Sequence, residues 1–500
     1  MEMNLRKGTE NTKPRLKAIN RAQLVMRPMD IEQLVPEEHE VRAIWEFVGR
    51  LDLGCYYGEI EAVEGEAGRP AWDPRLMISL WVYAYSKGVS SGREICRLCE
   101  TDPAYQWLTG MEAVNYHTLC DFRVAHKKAL DELFTQILGL LSAEGLVTLE
   151  RVMHDGTKVK ACASGDTFRR EGRIKAHLKS AREQVEQMRD PRRAEEVSPR
   201  VVKARQRAAR EKQERLEKAL EELEKIRASK TNSAEKQEAR ASMSDPEARV
   251  MKQSDGGFAP AYNVQLTTDA KEKIIIGVGM SQSGSDYGEL VGAEEKVEQT
   301  LGNAPEQMVV DGGFVSRENI LAMKEKGIDL IGPMGVGLAQ TAGQMKRRGV
   351  DPNFYPEFFQ YDVLSDTYRC PAGKILRPDG EEKRPGRTNY RYRALATNCR
   401  KCLFKEECCP QITTGRTIVR GVDDPVVVAH KEKMETEEAK QIYRQRGAVA
   451  EFPNAWIKDK IGLRQFRLRG MIKVGMETLW ACLTYNIKQW IRLRWRAQWA

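Results

Sequence analysis

The sequence predicts an α/β fold in which a mixed β-sheet is flanked by helices. Residues 261–269 alternate in polarity, turn at 270–272 and return as 273–279, which is the pattern of a β-hairpin. The apolar run 307–311 is followed by a helical segment and then by the short apolar run 328–331, as in a βαβ unit. Two antiparallel strands beside a βαβ unit form a mixed sheet.

An all-helical domain is predicted for residues 36–140. Asp73 followed by Pro74 indicates a helix start, because Asp caps free N–H groups and Pro fits the first helical position. Ser91 and Glu94 have the spacing of a capping box at the start of another helix. Small helical domains of this kind often hold DNA, and a role in dimerisation or packing is the alternative.

A helical insertion is predicted to interrupt the α/β fold at residues 167–240. It follows a strand predicted for 149–155, which ends in a turn, and an extended segment at 158–161. Pro191 and Pro199 bracket a chain reversal. We therefore expect an antiparallel helical hairpin, whose narrow apolar stripe consists of Leu216, Leu220, Leu223 and Ile226.

Positive charge is concentrated in two regions of the chain. The formal net charge is +9, yet residues 167–240 hold 22 Lys/Arg against 14 Asp/Glu and residues 456–500 hold 10 against 2. Concentrated basic regions on an otherwise acidic chain favour a polyanionic partner such as DNA, since phosphate contacts release counterions. The alternative is that these regions are solvated helix faces.

The composition also bears on the compartment. We expect no signal peptide and no membrane span, because the N-terminal residues are polar and no run of 18 apolar residues occurs. Eleven cysteines without a secretory signal predict reduced thiols. The expected localisation is cytoplasmic.

Three acidic residues are candidates for a common site. Asp155 and Asp311 each end a predicted strand, and Glu451 stands at the start of a predicted helix. Strand-end carboxylates can meet at one edge of a sheet and bind Mg²⁺, and two such ions can drive a phosphodiester displacement. Each Asp precedes Gly, however, and an Asp-Gly pair taken alone is typical of a turn.

The chain resembles the bacterial insertion-sequence transposases with a DDE catalytic core, most of all group eleven eighty-two. The resemblance spans most of residues 40–490. It is carried by the segments 73–123, 154–158 (HDGTK), 245–249 (DPEAR), 257–265 (GFAPAYNVQ), 311–314 (DGGF) and 443–458.

The resemblance implies a ribonuclease-H-like sheet whose Asp155, Asp311 and Glu451 bind two Mg²⁺ or Mn²⁺ ions. The family's Tyr-Arg-Glu-Lys signature maps onto Tyr443, Arg446, Glu451 and Lys458. The resemblance implies that Tyr443, Arg446 and Lys458 bind DNA, and Arg446 and Lys458 are candidates for holding its phosphates. Surface charge is the alternative for these two. Four residues separate Arg446 from Glu451, where the better-known signature has three, and Pro453 excludes an uninterrupted helix interior, so we expect a helix to begin near Glu451.

A second cluster of candidate ligands lies between residues 346 and 435. Cys399 and Cys402 have the spacing of a zinc knuckle, and Cys370 and Cys408 could complete a four-thiolate structural Zn²⁺ site. Cys409 is an alternative ligand. Unliganded reduced thiols are the alternative for the whole cluster.

The predicted function is that of a DNA transposase, which cuts double-stranded DNA at transposon ends and joins it to target DNA, with a homo-oligomer assembled on the DNA. The alternatives are a ribonuclease-H-like nuclease or resolvase without strand transfer, and a non-catalytic DNA-binding regulator. The predicted division of the chain is a flexible basic arm (1–35), a helical domain (36–140), a catalytic core (141–166 and 241–345), a helical insertion (167–240), a Cys-rich insertion (346–435) and C-terminal helices (436–500).

Overall fold

The computed structural model describes residues 28–62, 70–188, 198–335 and 338–498, with isolated positions at 21, 22, 24, 26 and 65. Most of the predicted basic arm, Pro191 of the predicted chain reversal, and residues 336 and 337 lie outside the described residues. The described part contains no helix long and apolar enough to cross a membrane.

The N-terminal region is helical, as predicted. Asp73 caps the helix that starts at Pro74 by accepting from the Arg75 N–H. Ser91 occupies an N-cap position, but its side chain makes no capping hydrogen bond, so the predicted capping box is not formed. The helices are α1 (Glu40–Gly49), α2 (Gly54–Tyr57), α3 (Pro74–Ser86), α4 (Gly92–Thr101), α5 (Pro103–Thr109), α6 (Tyr116–Ala125) and α7 (Lys127–Ala143).

The central sheet is the ribonuclease-H-like mixed sheet implied by the resemblance. Its members are β1 (Arg151–Lys160), β4 (Arg249–Lys252), β5 (Phe258–Asp269), β6 (Ile275–Ser281), β7 (Gln307–Val309) and β8 (Asp329–Ile331). Strand β5 pairs antiparallel with β4 and β6 along one edge and with β1 along the other, and β1, β7 and β8 then run parallel. Helices α11 (Leu290–Leu301) and α12 (Arg317–Glu325) precede and follow β7.

Strand β1 continues through the predicted turn. The sequence indicated a strand that ends in a turn at Asp155 and an extended segment over 158–161, but β1 is a single strand up to Lys160 that pairs with β5 from Val152 opposite Asp269 to Lys160 opposite Ala261. The Asp-Gly pair is therefore part of a ladder and forms no turn.

The helical insertion is an antiparallel hairpin of α8 (Glu171–Gln187) and α9 (Pro199–Ala228). The ion pairs Arg227–Glu171 and Arg182–Glu217 fix the antiparallel register. The strands β2 (Phe168–Arg169) and β3 (Ala241–Ser242) pair at the base of the hairpin. The short helix α10 (Ser233–Gln237) lies between α9 and β3 in the chain.

The Cys-rich region forms a five-stranded antiparallel sheet in which each strand pairs with the next along the chain. The strands are β9 (Gln360–Asp362), β10 (Thr367–Arg369), β11 (Ile375–Arg384), β12 (Arg387–Ala394) and β13 (Thr417–Asp423). Three helices accompany it, α13 (Leu338–Arg347), α14 (Ala396–Arg400) and α15 (Lys405–Cys408).

The C-terminal helices join the sheet to the N-terminal helices. They are α16 (Pro425–Glu435), α17 (Glu437–Arg444), α18 (Phe452–Asp459) and α19 (Met471–Trp490). Helix α19 is buried along most of its length and packs against α3, α7 and β6. One continuous hydrophobic cluster therefore includes the N-terminal helices, the central sheet and α19.

Candidate active site

Asp155 lies in β1, and Asp311 follows the end of the parallel strand β7. The register pairs Val152 with Met308 and Met153 with Val309, so each aspartate lies two residues beyond the last of these pairs, and the negative charge of Asp311 is close enough to act on Asp155. Neighbouring strands are about 4.8 Å apart. The Asp311 carboxylate also accepts a hydrogen bond from the Gly313 N–H at 2.7 Å, which holds it at the end of β7.

Glu451 reaches the same face of the sheet from the C-terminal helices. Met153, which shares a face of β1 with Asp155, packs in a cluster with Val449 and Ala450, directly before Glu451. Glu451 itself lies outside this cluster. Its side chain is 65% exposed, whereas that of Asp155 is 19% exposed.

Arg446 links the two acids. Its Nη1 lies 3.6 Å from Asp155 Oδ1, and its Nη2 lies 3.7 Å from Glu451 Oε1. Arg446 and Glu451 lie on one face because Gly447–Glu451 forms a π-helical turn. In such a turn the backbone hydrogen bonds join residues five apart, one more than in an α-helix. The additional residue that distinguishes this sequence from the better-known signature is thus taken up by the wider turn.

Helix α18 begins as predicted from Pro453. Pro453 lies in its first turn, where no backbone N–H is needed for the helix. Asn454 is buried beside it and donates from Nδ2 to Asp155 Oδ2 at 3.0 Å. Asn454 was not among the residues predicted from the sequence, because its role depends on Asp155, which lies 299 positions away in the chain.

The two remaining signature residues have different surroundings. Lys458 donates to the Thr157 hydroxyl, which follows Asp155 on the same face of β1, and burial together with Arg464 lowers the pKa of Lys458. Tyr443 is half-buried and packs against the apolar cluster beneath the site.

Burial disfavours the charged form of the Asp155 carboxyl group. It raises the pKa of Asp155 to about 6, an effect that the Arg446 guanidinium opposes and the negative charge of Asp311 reinforces. A buried acid next to a second acid is stabilised by a cation.

The donor atoms fit a hard divalent cation. Asp155 and Asp311 offer adjacent carboxylates, which Mg²⁺ and Mn²⁺ prefer. Within the described ranges, no three His, Cys, Asp or Glu side chains are grouped so as to hold a metal ion together. At the proposed site the Arg446 guanidinium lies 3.6 Å from Asp155 and 3.7 Å from Glu451, and its buried Nη1 has no hydrogen-bond acceptor.

His154 belongs to the opposite face of β1 and is fully buried. Its Nε2 donates to Gln265 Oε1 at 2.8 Å and its Nδ1 accepts from the Thr267 hydroxyl at 2.9 Å, which is the pattern of a neutral ring. Burial lowers the pKa of His154 to about 4, in agreement with that pattern. His154 is therefore a packed strand residue.

The network continues to Asp286, which the sequence analysis did not single out. Its carboxylate accepts from Gln265, from Asn263 and from Lys158 Nζ at 3.0 Å. The position of Asp286 also explains why residue 156 is a glycine, since a Cβ there would lie 2.5 Å from Asp286 Oδ1.

The predicted zinc ligands are gathered at one end of the β9–β13 sheet. The Lys374 N–H donates to Cys370 Sγ at 3.2 Å and the Arg416 N–H donates to Cys399 Sγ at 3.4 Å. Burial raises the pKa of the Cys408 thiol to about 12. One small cavity is lined by Cys370, Cys399, Cys402, Cys408 and Cys409, all of them free thiols.

Two protein-family comparisons match the chain. Residues 369–491, which include the Cys-rich sheet and Glu451, match the family described as Transposase DDE domain. Residues 29–125, the N-terminal helices, match the family described as Transposase domain (DUF772). Comparison with curated proteins gives no match.

Proposed function

We propose that Asp155, Asp311 and Glu451 form the catalytic centre of this protein. The chain belongs to the insertion-sequence transposases with a DDE domain. The family implies a DNA-binding, nucleic-acid-cleaving enzyme. The observation that supports the finer proposal is the position of Arg446, whose guanidinium lies 3.6 Å from Asp155 and 3.7 Å from Glu451, beside the parallel strands β1 and β7.

The proposed cofactor is Mg²⁺ or Mn²⁺, which when bound lowers the pKa of an attacking water or hydroxyl and stabilises the leaving oxygen. Asp155 and Asp311 supply carboxylate oxygens from the sheet, and Glu451 supplies a third from the π-helical turn. Asn454 orients Asp155 through its hydrogen bond. Arg446 balances the charge of the acids in the metal-free protein.

Two successive displacements make up the proposed reaction. Water attacks a phosphodiester at the element's end, which leaves a 3′-hydroxyl and a 5′-phosphate. That 3′-hydroxyl then attacks a phosphodiester of the target DNA, so that one P–O bond forms as another breaks. Lys458, a cation two helical turns from Glu451, is placed in this proposal against a DNA phosphate, and Tyr443 supports the helix beneath it.

The proposed partners are double-stranded transposon-end and target DNA, with the N-terminal helices binding the ends. Because two ends must be joined to one target, we expect a homo-oligomer on the DNA.

A structural zinc site is proposed for the Cys-rich sheet. Its buried core is small, and structural metals commonly stabilise such small cores. The N–H···Sγ bonds to Cys370 and Cys399 are of the kind that supports metal-bound thiolates. Cys402 and either Cys408 or Cys409 would complete four ligands once the thiols rotate towards a common point.

Incubation of the full-length protein with end DNA and Mg²⁺ or Mn²⁺ tests the function. Cleavage followed by joining, both lost in Asp155→Ala, supports transposition. Cleavage without joining indicates a nuclease or resolvase. Tight binding without either reaction indicates a non-catalytic regulator and contradicts the proposal.

A further inference from the structure

Charge is distributed unevenly along the helical hairpin. Four cations occupy positions 200, 203, 207 and 210 of α9, and the spacing of three, four and three residues places them on one flank of the helix. All four are exposed. We call Arg200, Lys203, Arg207 and Arg210 the cationic flank.

The same side of α9 changes character towards the base of the hairpin. There it carries Glu214, Glu217, Lys218 and Glu221, a mixture of both signs. Cations near the base are neutralised by close partners, as in Lys225–Glu222 and Arg227–Glu171, both at 2.7 Å. The half of α9 that is farther from the sheet therefore carries a run of cations on this side, whereas the half near the base carries both signs.

Few ion pairs hold the cationic flank. Arg207 pairs with Glu211 at 2.8 Å, with 82% of its side chain exposed. Arg200, Lys203 and Arg210 have no ion-pair partner in the part of the chain that the structure describes. An exposed single pair contributes little to stability, and so the flank is not explained as a stabilising network.

The flank is also not part of the hairpin's packing. The contact between α8 and α9 is made by buried apolar residues such as Ile174, Leu216 and Leu223. Arg207 lies within electrostatic range of Asp121 in α6, so this half of α9 runs near the N-terminal helices. A duplex bound by those helices would be within reach of the flank.

We propose that the cationic flank binds the phosphate backbone of duplex DNA, an inference that rests on the proposed function for the identity of the partner. From Arg200 to Arg210 the flank extends over about 15 Å. Duplex DNA carries about one negative charge per 1.7 Å of its axis, so four cations over this length each find a phosphate. The contact reads no base sequence and positions the DNA.

The test is the salt dependence of binding to a random-sequence duplex, measured by fluorescence anisotropy with the full-length protein. The variant R200Q/K203Q/R207Q/R210Q removes the flank while keeping good helix formers. Each lost phosphate contact reduces the slope of log K against log salt by about 0.9, so we expect the slope to fall by about three to four.

The matched control is K218Q/K225Q/K230Q/K236Q, which removes the same charge from the base of the same insertion. We expect its slope to change by less than about one. Equal slopes for the flank variant and the wild type, or for the flank variant and the control, would overturn the proposal.

Two further measurements keep the outcomes separate. Circular dichroism checks that α9 stays helical, and the double variant R200Q/K203Q should give about half of the full slope change if the quadruple variant is unfolded. Metal-dependent cleavage of end DNA by the wild type tests the proposed function independently. If the slope falls as predicted in the flank variant but the wild type never cleaves end DNA, the catalytic proposal is contradicted and the flank proposal is supported.

Discussion

Arg446 Nη2 and Glu451 Oε1 lie 3.7 Å apart because a π-helical turn separates the two residues. In a regular α-helix, residues five apart diverge by about 140°, and the Glu451 carboxylate would point away from Arg446 and Asp155. A single additional residue in the turn thus determines which face Glu451 presents. Such turns are often found at functional sites.

Deletion of Ala448 should convert the π-helical turn into an α-helical one. Ala448 is exposed, so its removal costs little packing, and the regular turn is intrinsically better hydrogen-bonded. We expect a folded protein whose metal-dependent cleavage falls at least about 100-fold, since misplacement by about 1 Å already has an effect of that size. Single-turnover cleavage of end DNA measures it.

The control for that deletion is Ala448→Ser, which preserves the length of the turn and should cleave like the wild type. A deletion variant that cleaves normally would show that the turn does not position Glu451.

Asp155→Asn should make the metal-free protein more stable while abolishing cleavage. The folded-state pKa of Asp155, about 6, lies above the ordinary 3.8, so the folded state binds more protons than the unfolded state between these values. Stability is therefore lost as pH rises from about 4 to about 6. Above that range the penalty approaches about 3 kcal/mol, which the neutral amide avoids.

Urea unfolding in EDTA measures this effect. The variant should be more stable than the wild type by up to about 3 kcal/mol at pH 7.5, and the difference should disappear near pH 4. A variant that is less stable than the wild type at pH 7.5 would refute the assignment of Asp155 as a buried, unfavourably charged group.

Gly156→Ala should destabilise the fold by about 1–3 kcal/mol, because the new Cβ would lie 2.5 Å from Asp286 Oδ1 and 2.7 Å from Gln265 Nε2. Both atoms belong to the buried network around His154, which has little room to move. Thermal unfolding provides the measurement.

Gly172→Ala is the control: Gly172 lies in α8 with open space around it, and this change should stabilise the helix by up to about 1 kcal/mol. Equal effects of the two substitutions would contradict the account of Gly156.

The zinc proposal predicts one Zn²⁺ per chain in protein purified without chelator, measured by elemental analysis. Cys399→Ser should lose the metal and lower the unfolding temperature, since metal-binding energy is folding energy in small sites. Cys55→Ser, an exposed thiol outside the cluster, should keep the metal. Wild-type protein that binds no Zn²⁺ after reconstitution would disprove the site.

Local patterns were sufficient for many elements. The alternation in 261–279 predicted the β5–β6 hairpin, and Asp73-Pro74 predicted a helix start that the structure confirms. Ser316 caps α12 through its hydroxyl, and Gly327 ends the segment with a positive φ of 74°. These features depend on neighbours in the sequence, which is why they could be read from it.

Features that depend on distant partners could not be predicted. Strand β1 continues past Asp155 because β5 pairs with it over nine residues, a long-range contact that overrides the local turn preference of Asp-Gly. The π-helical turn at Gly447–Glu451 is fixed by the packing of Val449 and Ala450 under the sheet. The roles of Asn454 and Asp286 depend on side chains more than 20 positions away. Asn454 donates to Asp155, and Asp286 accepts from Asn263.

The central proposal is that Asp155, Asp311 and Glu451 bind the same divalent ions, and thiol substitution with metal exchange tests it most directly. Cysteine is a poor ligand for Mg²⁺ but accepts softer ions such as Mn²⁺. We predict that Asp155→Cys, Asp311→Cys and Glu451→Cys each lose cleavage of end DNA in Mg²⁺ and regain it in Mn²⁺, whereas the corresponding Ala variants stay inactive in both. Cysteine variants that cleave equally well in Mg²⁺, or that no metal restores, would contradict the proposal.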